Sequence, residues 1–312
     1  MQLPQYLQQK INSLYSGLTK KELEQTRSEL TRKYKEETGR SVSLIDSKKD
    51  SVLYAISRMP STYAVIYTLL NQLVSQDLIS DVSTVFDVGA GTGAGFFALK
   101  EIDSNIDLSL LERDENMLFV LNNLIDEKPE IIKGDINHLN LNKKFDLVMS
   151  SYVLSEMTEG DRKIALQKMF ELSNKYVLLI DTGTPKTYAE YMKIKETAKE
   201  LGCFVVAPCL HEKCSLKNDY CQFFARVERS SLQKMAKSAT LGYEDEKYFY
   251  LLFSKNDNLP QKARVIRRPN IETNSIKLSL CTKEGVVQNN YTKKDKEMFK
   301  RAKKSKINDV ID

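Results

Sequence analysis

The stretch Phe86-Asp87-Val88-Gly89-Ala90-Gly91-Thr92-Gly93-Ala94-Gly95 constrains this chain more than any other. The apolar run Val85-Phe86-Asp87-Val88 leads into it, and a helical pattern follows. Glycines at such a corner let the backbone turn sharply and approach a ligand closely. An acid at the end of the next strand can accept both ribose hydroxyls, and Glu112 stands 21 residues after Gly91. A lone glycine motif is weak evidence. Here the strand, the leading acid, the glycines and the downstream acid agree.

The surrounding pattern supplies the sheet that such a loop needs. Strands are expected at Val85–Val88, Leu108–Leu111, Glu130–Lys133, Phe145–Met149 and Tyr176–Ile180. Helices fit between them at Gly95–Ile102, Glu115–Asp126 and Asp161–Leu172, with another at Thr187–Leu201. Such alternation implies an α/β fold with a parallel, Rossmann-like sheet covered on both faces. Residues 1–80 read as a helical extension, with Pro60 as a break and Glu22–Thr38 as a charged, exposed helix. Beyond residue 202 the order is harder to read. Glu246–Phe253 looks like a late strand, Ser275–Cys281 and Gly285–Asn290 like a small hairpin, and Lys293–Lys306 like a basic helix. The expected division is therefore 1–80 (helical), 81–202 (cofactor-binding) and 203–312 (cysteine-rich and basic, interleaved with the sheet).

The loop spacing allows NAD or S-adenosyl-L-methionine. Asp87-x-Gly89-x-Gly91-x-Gly93 resembles motif I of class I methyltransferases, whose leading acid lies near the methionine end of the cofactor. Asp135, in Gly134-Asp135-Ile136 after the third strand, matches the acid that meets the adenine amine in that family. The expected cofactor contacts are Asp87, Gly89, Ala90, Gly91, Gly93, Glu112, Asp135 and Ser150. Catalysis is silent. The fourth strand ends in Ser150-Ser151-Tyr152-Val153-Leu154-Ser155-Glu156, without the Asn/Asp-Pro-Pro-aromatic element of amino-directed methyltransferases or the Pro-Cys of cytosine C5 chemistry. Ser150, Ser155 and Glu156 either face the cofactor or serve as strand-end and cap residues. Methyl transfer can rely largely on positioning.

Four of the five cysteines sit where a metal site would put them. Cys209, Cys214 and Cys221 lie within 13 residues, and Cys281 follows 60 positions later. The chain shows no signal-peptide pattern and no apolar run approaching the ~18 residues of a membrane helix. A cytoplasmic chain, with a monomer favoured, is expected, where thiols stay reduced and bind metal rather than pair. Four thiolates complete a tetrahedral zinc site or one [4Fe–4S] cluster. His211 is a possible substitute ligand or a neighbour of the site, and Cys203 reads as a buried thiol.

Charge is uneven. The net +5 divides into +8 over residues 260–312 and −3 over the rest. A basic tail on a near-neutral body suits a polyanion, most commonly nucleic acid. Arg264, Arg267, Arg268, Lys300, Arg301, Lys303 and Lys304 are the expected RNA contacts.

Several stretches together resemble the methyltransferase-like family associated with the mitochondrial small ribosomal subunit, and its bacterial homologues. Cys221-Gln222-Phe223-Phe224-Ala225-Arg226-Val227-Glu228-Arg229 with Tyr243-Glu244-Asp245-Glu246-Lys247-Tyr248-Phe249-Tyr250 is one. Arg58-Met59-Pro60-Ser61-Thr62-Tyr63 resembles that family's R-x-P-x-T-Y helix entry, and Asp181-Thr182-Gly183-Thr184-Pro185 its E-P-G-T-P loop. Leu280-Cys281-Thr282 resembles its late cysteine. Its Cys-Pro-His is Cys209-Leu210-His211 here, its Asp-Trp-Cys is Asp219-Tyr220-Cys221, and its Trp-Gly-Asp is Ile307-Asn308-Asp309. The resemblance implies an adenosylmethionine-type Rossmann domain, a [4Fe–4S] cluster on Cys209, Cys214, Cys221 and Cys281, and association with small-subunit rRNA. Two roles are compatible with it: an rRNA methyltransferase, or a non-catalytic ribosome-assembly factor that keeps the fold and the cluster.

Overall fold

Five apolar runs of the sequence become five neighbouring parallel strands. They are β1 (Thr84–Val88), β2 (Asp107–Glu112), β3 (Glu130–Lys133), β4 (Phe145–Ser151) and β5 (Ser173–Thr182), in the order β3-β2-β1-β4-β5. The structure is a computed structural model and describes residues 1–15, 19–36, 39, 43–211, 214, 216, 218–256 and 262–311. Val85, Phe86, Leu110, Leu147, Val148, Leu178 and Leu179 are fully buried. That is why these strands read as continuous apolar runs rather than alternating ones. The strand order reverses beside β1, which has β2 on one side and β4 on the other. A ligand crevice belongs at the carboxyl ends of strands at such a switch point.

Helices α1 (Gln5–Leu14), α2 (Lys20–Glu36), α3 (Lys48–Ser57) and α4 (Met59–Ser75) precede the sheet. Pro60 falls in the first turn of α4, where its missing N–H costs no helical bond. The charged helix α2 is not simply exposed. Leu23, Thr26 and Leu30 form a narrow buried stripe at helical spacing, which the surrounding charges obscure in the sequence. Helices α5 (Ala94–Ile102), α6 (Glu115–Leu124) and α7 (Glu159–Leu172) link the strands. Asp114 caps α6 by accepting from the backbone of Asn116 and Met117, and Thr158 caps α7 by accepting from Asp161 N. Helix α6 stops two residues earlier than expected, because Ile125 is extended. The sheet order and linking helices are those of a Rossmann-like class I methyltransferase fold.

The chain forms two units. One comprises residues 1–71, 81–181 and 225–246, and the other 72–80, 182–224 and 247–312. The expected division is sequential, with boundaries at 80 and 202, and these two units are discontinuous in sequence. After α8 (Pro185–Glu200) and β6 (Phe204–Ala207), the chain runs through β7 (Phe223–Glu228), α9 (Ser231–Ala236) and β8 (Tyr243–Ser254). Residues 225–246 of that run fold with the first unit. Within the second, β6 pairs antiparallel with β8.

The expected hairpin belongs to a five-stranded sheet of β9 (Ala263–Val265), β10 (Asn270–Ile271), β11 (Ser275–Thr282), β12 (Gly285–Thr292) and β13 (Val310–Ile311). Val265, Ile276, Leu278, Leu280 and Ile311 pack with Ala302 of the basic helix α10 (Lys296–Lys304). That helix is shorter than expected because the Asp295 side chain caps it, accepting from Met298 N. Among the described residues, no helix is long and apolar enough to cross a membrane.

Candidate functional site

The glycine loop after β1 folds as its residue types require. Gly89 and Gly91 have φ of +74° and +55°, a region that non-glycine residues enter only at a cost. The backbone N–H groups of Gly89 and Ala90 donate to Leu111 O at 2.8 and 2.9 Å. The Gly91 N–H donates to Glu112 Oε2 at 2.8 Å, and Asp114 N donates to Glu112 Oε1 at 2.8 Å. Glu112 is thus held at the end of β2 by the loop it was expected to serve. Burial pushes its carboxyl up, against the pull of these backbone donors.

A side chain at Gly89 is impossible as the loop stands. Its Cβ would lie 2.4 Å from Val153 Cγ2, so the segment after β4 rests directly on the glycine. Gly95 has a similar role, because a Cβ there would fall 2.3 Å from Asp87 Oδ2. Gly93 packs instead against helix α6, where a Cβ would meet Leu121 Cδ1 at 2.7 Å. Asp87 is 2% exposed, and burial, with Glu112 beside it, pushes its carboxyl up to about 7.

The loop borders a cleft of about 800 Å³ counted to its open mouth. Gly89, Gly91, Glu112 and Asp135 all face it, together with Tyr54 and Glu156. Asp135 is already engaged: its Oδ1 accepts from Asn137 N at 2.9 Å and its Oδ2 from Arg113 Nη1 at 3.1 Å. Behind Gly89 and Gly91 lies a smaller cavity, where Asp87 and Ala90 meet Thr62 and Ser151. The hydroxyls of Thr62 and Ser151 are buried without a partner among the described residues.

Ser150 is a correction. It is fully buried, its hydroxyl has no partner among the described residues, and it lines neither of these two cavities. Successive strand residues point to opposite faces, and Ser151 is the one on the cleft side. Sequence reasoning missed Ser151, Thr62, Gly95 and Arg113. Only the phase of β4 would have distinguished Ser151 from its neighbour.

Tyr152 closes the cleft in an unusual conformation. Its φ is +62°, its ring is buried, and its hydroxyl has no partner among the described residues. The Arg58 guanidinium lies 6.0 Å from that ring and pairs with Glu246 at 3.2 Å. Left-handed bulky residues cluster at functional sites. Burial and then Asp181 push the Glu156 carboxyl up to about 8, while Arg113 draws it down. This is a group that exchanges its proton near neutrality.

The second unit brings the four expected cysteines into one neighbourhood. Cys209, Cys221 and Cys281 are buried and Cys214 is half-buried, all as free thiols. Burial pushes Cys209 up to about 12 and Cys221 higher, and each has the other thiols within electrostatic reach. The Tyr188 hydroxyl bonds Cys214, and its ring meets Phe249 edge-on at 5.3 Å. His211 Nδ1 lies 2.9 Å from Thr282 O and 3.5 Å from Cys281 Sγ, while its Nε2 is buried without a partner among the described residues. Cys203 is buried as expected, with its Sγ 3.8 Å from Leu201 O. Among the described residues no three His, Cys, Asp or Glu side chains converge closely enough to hold a single ion as they stand.

The expected RNA contacts separate. Arg268, Lys300, Arg301, Lys303 and Lys304 are exposed. Arg267 is half-buried and engaged, donating to Asp219 Oδ2 at 2.6 Å and Tyr220 O at 3.1 Å. Arg264 is a second correction: it is 2% exposed, so no nucleic-acid phosphate can reach it. Its basic neighbours in sequence made it look like a surface residue.

Residues 48–311 match the model of the family described as mitochondrial small ribosomal subunit Rsm22. A human relative, the mitochondrial ribosome assembly protein METTL17, is 24% identical over 195 residues, covering 55% of this chain and 43% of that protein. The chain thus spans less than half the length of the curated relative it matches. Similar solved structures include the magnesium protoporphyrin IX methyltransferase ChlM of Synechocystis PCC 6803 with bound SAH. That chain is 13% identical with a TM-score of 0.43, covering 66% of this chain and 87% of its own. The plantazolicin methyltransferase BpumL, in complex with a monoazolic analogue and SAH, is 14% identical with a TM-score of 0.46, covering 80% and 99%.

Proposed function

The chain belongs to the Rsm22 family, and from that premise we propose that it is a small-ribosomal-subunit assembly factor of methyltransferase fold. In this reading it binds S-adenosyl-L-methionine in the cleft, carries a [4Fe–4S] cluster on its four cysteines and contacts rRNA. One observation carries the cofactor assignment. The left-handed Gly89–Gly91 turn closes on Glu112 beside a cavity that holds Asp87 and the unpartnered hydroxyls of Thr62 and Ser151. Glu112 would meet the ribose diol, and Asp87, Thr62 and Ser151 the charged methionine end. Asp135 would meet the adenine amine once Arg113 gives way. Bound there, adenosylmethionine would supply an electrophilic methyl group. Glu156 lines the same cleft, and its carboxyl can take a proton from the acceptor only once ionised, above about pH 8.

The cysteines fit a metal group by donor chemistry. Four soft sulfurs, three of them buried, share one neighbourhood. A single zinc would draw all four to ~2.3 Å from one point. A cluster would hold the thiolates at separate corners rather than on one point, and among the described residues no three such groups converge on a single ion. Arg268 and the exposed face of α10 would carry the rRNA contact. The curated relative is named as mitochondrial, and a cytoplasmic placement of this chain is part of the proposal only.

A non-catalytic assembly role has its own support. Both oxygens of Glu112 and of Asp135 are satisfied by this chain itself. The test is equilibrium binding of labelled adenosylmethionine, followed by methyl transfer to small subunits from cells lacking the protein. Binding that is lost in G91R, with label entering rRNA, supports the enzyme. Binding without label leaves the assembly factor, and no binding by the wild type would end the cofactor assignment.

A further inference from the structure

Arg264 is buried in a way that its visible partners do not explain. A guanidinium is charged at any pH a protein meets. Taking it out of water is costly unless opposite charge meets it. Its Nη1 donates to Gln76 Oε1 at 2.8 Å, and to Asn308 O and Asn308 Oδ1 at 3.0 Å each. All three acceptors are neutral. Its Nε has no acceptor, and no carboxylate pairs with it among the described residues. The other cations near the cysteines differ: Arg267 holds Asp219, and the flexible Lys195 holds His211 O.

Ionisable groups within electrostatic reach of Arg264 include Cys209, Cys281, Tyr248 and Tyr250. Register brings one of these beside it. Arg264 of β9 lies directly opposite Cys281 of β11, and directly opposed residues project from the same sheet face. Both tyrosines stay neutral because burial pushes their hydroxyls up. The sulfurs are the groups that acquire negative charge, because ligation deprotonates them.

On its other side, the guanidinium holds the carboxy-terminal segment. Asn308 is fully buried at φ +76°, and its N–H donates to Val265 O at 2.8 Å. Asn308 Oδ1 accepts from the Tyr250 hydroxyl at 2.7 Å, and its Nδ2 donates to Gln72 Oε1 at 2.7 Å. Val310 of β13 then pairs with Arg264 itself.

We propose that Arg264 is the buried counter-ion of the cysteine site, and that through Asn308 it couples loading of the four sulfurs to ordering of the carboxy-terminal strand. This rests on the reading that the cysteines hold a metal group. A loaded four-thiolate site is net negative and satisfies the guanidinium. An empty one leaves a bare buried cation, which is relieved by releasing Asn308 and β13.

The test uses the full chain purified without oxygen and reconstituted with iron and sulfide, as wild type, R264Q, R264K and C281S. Three quantities are read: iron release to a chelator, the midpoint potential, and hydrogen exchange of residues 305–311. R264Q is expected to release iron roughly 10–100-fold faster, the usual cost of losing an outer partner of a metal site. Its potential should fall, because the reduced, more negative cluster loses its counter-ion. Stripping iron from the wild type should speed exchange in 305–311, and in R264Q that exchange should be fast with or without iron. R264K keeps the charge but not the planar fork, so its iron release and potential should stay near wild type. Wild-type release and potential in R264Q would overturn the inference, as would wild-type exchange indifferent to iron. If R264Q does not fold, R264K decides: release as fast as in C281S would show that charge is not what matters. A wild-type chain that takes up no iron would remove the cysteine reading, and this inference with it.

Discussion

The cleft and the cysteine site are both assemblies of ionisable groups, but they are finished differently. In the cleft, Glu112 and Asp135 each have both carboxylate oxygens engaged by the chain itself. Those partners come from within the turns that join consecutive strands and helices, so folding the sheet sets both carboxylates. The cysteine site joins Cys281 to a segment 60 positions away in sequence. Both sites leave polar atoms buried without partners among the described residues, the hydroxyls of Thr62, Ser151 and Tyr152 at the cleft and His211 Nε2, Gln222 Oε1 and Arg264 Nε in the second unit, but only the second set includes a charged group. A buried polar group without a partner costs about 1–3 kcal/mol. One site is therefore a preformed receptor, and the other is a socket whose stability depends on what fills it.

The sharpest way to break that contrast is to empty the socket. Four-thiolate metal sites supply on the order of 10 kcal/mol of apparent folding free energy. Cys221→Ser, or stripping wild-type protein with a chelator, should lower iron content and accelerate hydrogen exchange over 203–224 and 263–311. Exchange over β1 to β5 should barely move. Full iron content in C221S would take Cys221 out of the ligand set. Equal loosening of both regions would show that the two sites are not finished differently at all.

A second comparison lies inside the cleft. Gly89→Ala must hold a Cβ at positive φ and push Val153 aside, since the built Cβ lies 2.4 Å from its Cγ2. The left-handed backbone costs roughly 1–2 kcal/mol and the overpacking about 1–3 more. Gly91→Ala meets nothing nearer than Gly89 O at 3.9 Å, so it should cost only the backbone part. Urea unfolding of the two variants measures the difference. Equal losses would mean that Val153 yields freely and that the loop is not preformed.

Why one site was legible in the sequence and the other only in part follows from the same physics. Strands β1, β2, β4 and β5 are largely buried and carry near-continuous apolar runs, while β3 at the sheet edge is exposed at both ends, and Asp87, Gly89, Gly91 and Glu112 fall at fixed offsets from those runs. Ser150 and Ser151 could not be told apart, because strand phase is invisible in a continuous apolar run. The four cysteines announced themselves by residue type. Arg264 did not, because burial of an arginine opposite Cys281 is a matter of register between β9 and β11. Strand β7 alternates, with Phe223, Ala225 and Val227 buried, yet six residues beside a loop gave too short a pattern to separate it from its surroundings.

A smaller effect should appear in the pH dependence. Burial holds Asp87 up at about 7 in the folded chain, against ~3.9 when unfolded. Below about pH 4 both states are protonated and the group contributes nothing. Between about 4 and 7 the unfolded chain ionises while the folded one does not, so stability falls as pH rises. Above 7 both are ionised and the loss is complete. Asp87→Asn should flatten that window by ~2 kcal/mol, allowing for relaxation around the carboxyl. Urea midpoints at about pH 5 and pH 8 read it out. The slope that remains in D87N belongs in part to Glu156, which burial holds up at about 8. An unchanged slope would mean that the cavity behind the loop is wetter than its geometry implies.

The smallest effect on stability, and the cleanest on binding, belongs to the exposed cations. Lys303 and Lys304 lie in the last turn of α10 with their side chains in solvent. Positive charge there is favoured by the helix dipole, so reversing both should cost only about 0.3–1 kcal/mol per charge. Counter-ion release by phosphates is a different matter. Each lost phosphate contact reduces the salt slope of nucleic-acid binding by about one. K303E/K304E and R268E should therefore weaken binding to small subunits and flatten its salt dependence while leaving iron content untouched. Arg267 is the internal control. It already holds Asp219 and lies near Cys221, so reversing it should disturb metal retention more than the salt slope. If R267E instead behaves like K303E/K304E, the boundary drawn here between socket and RNA-facing surface is in the wrong place.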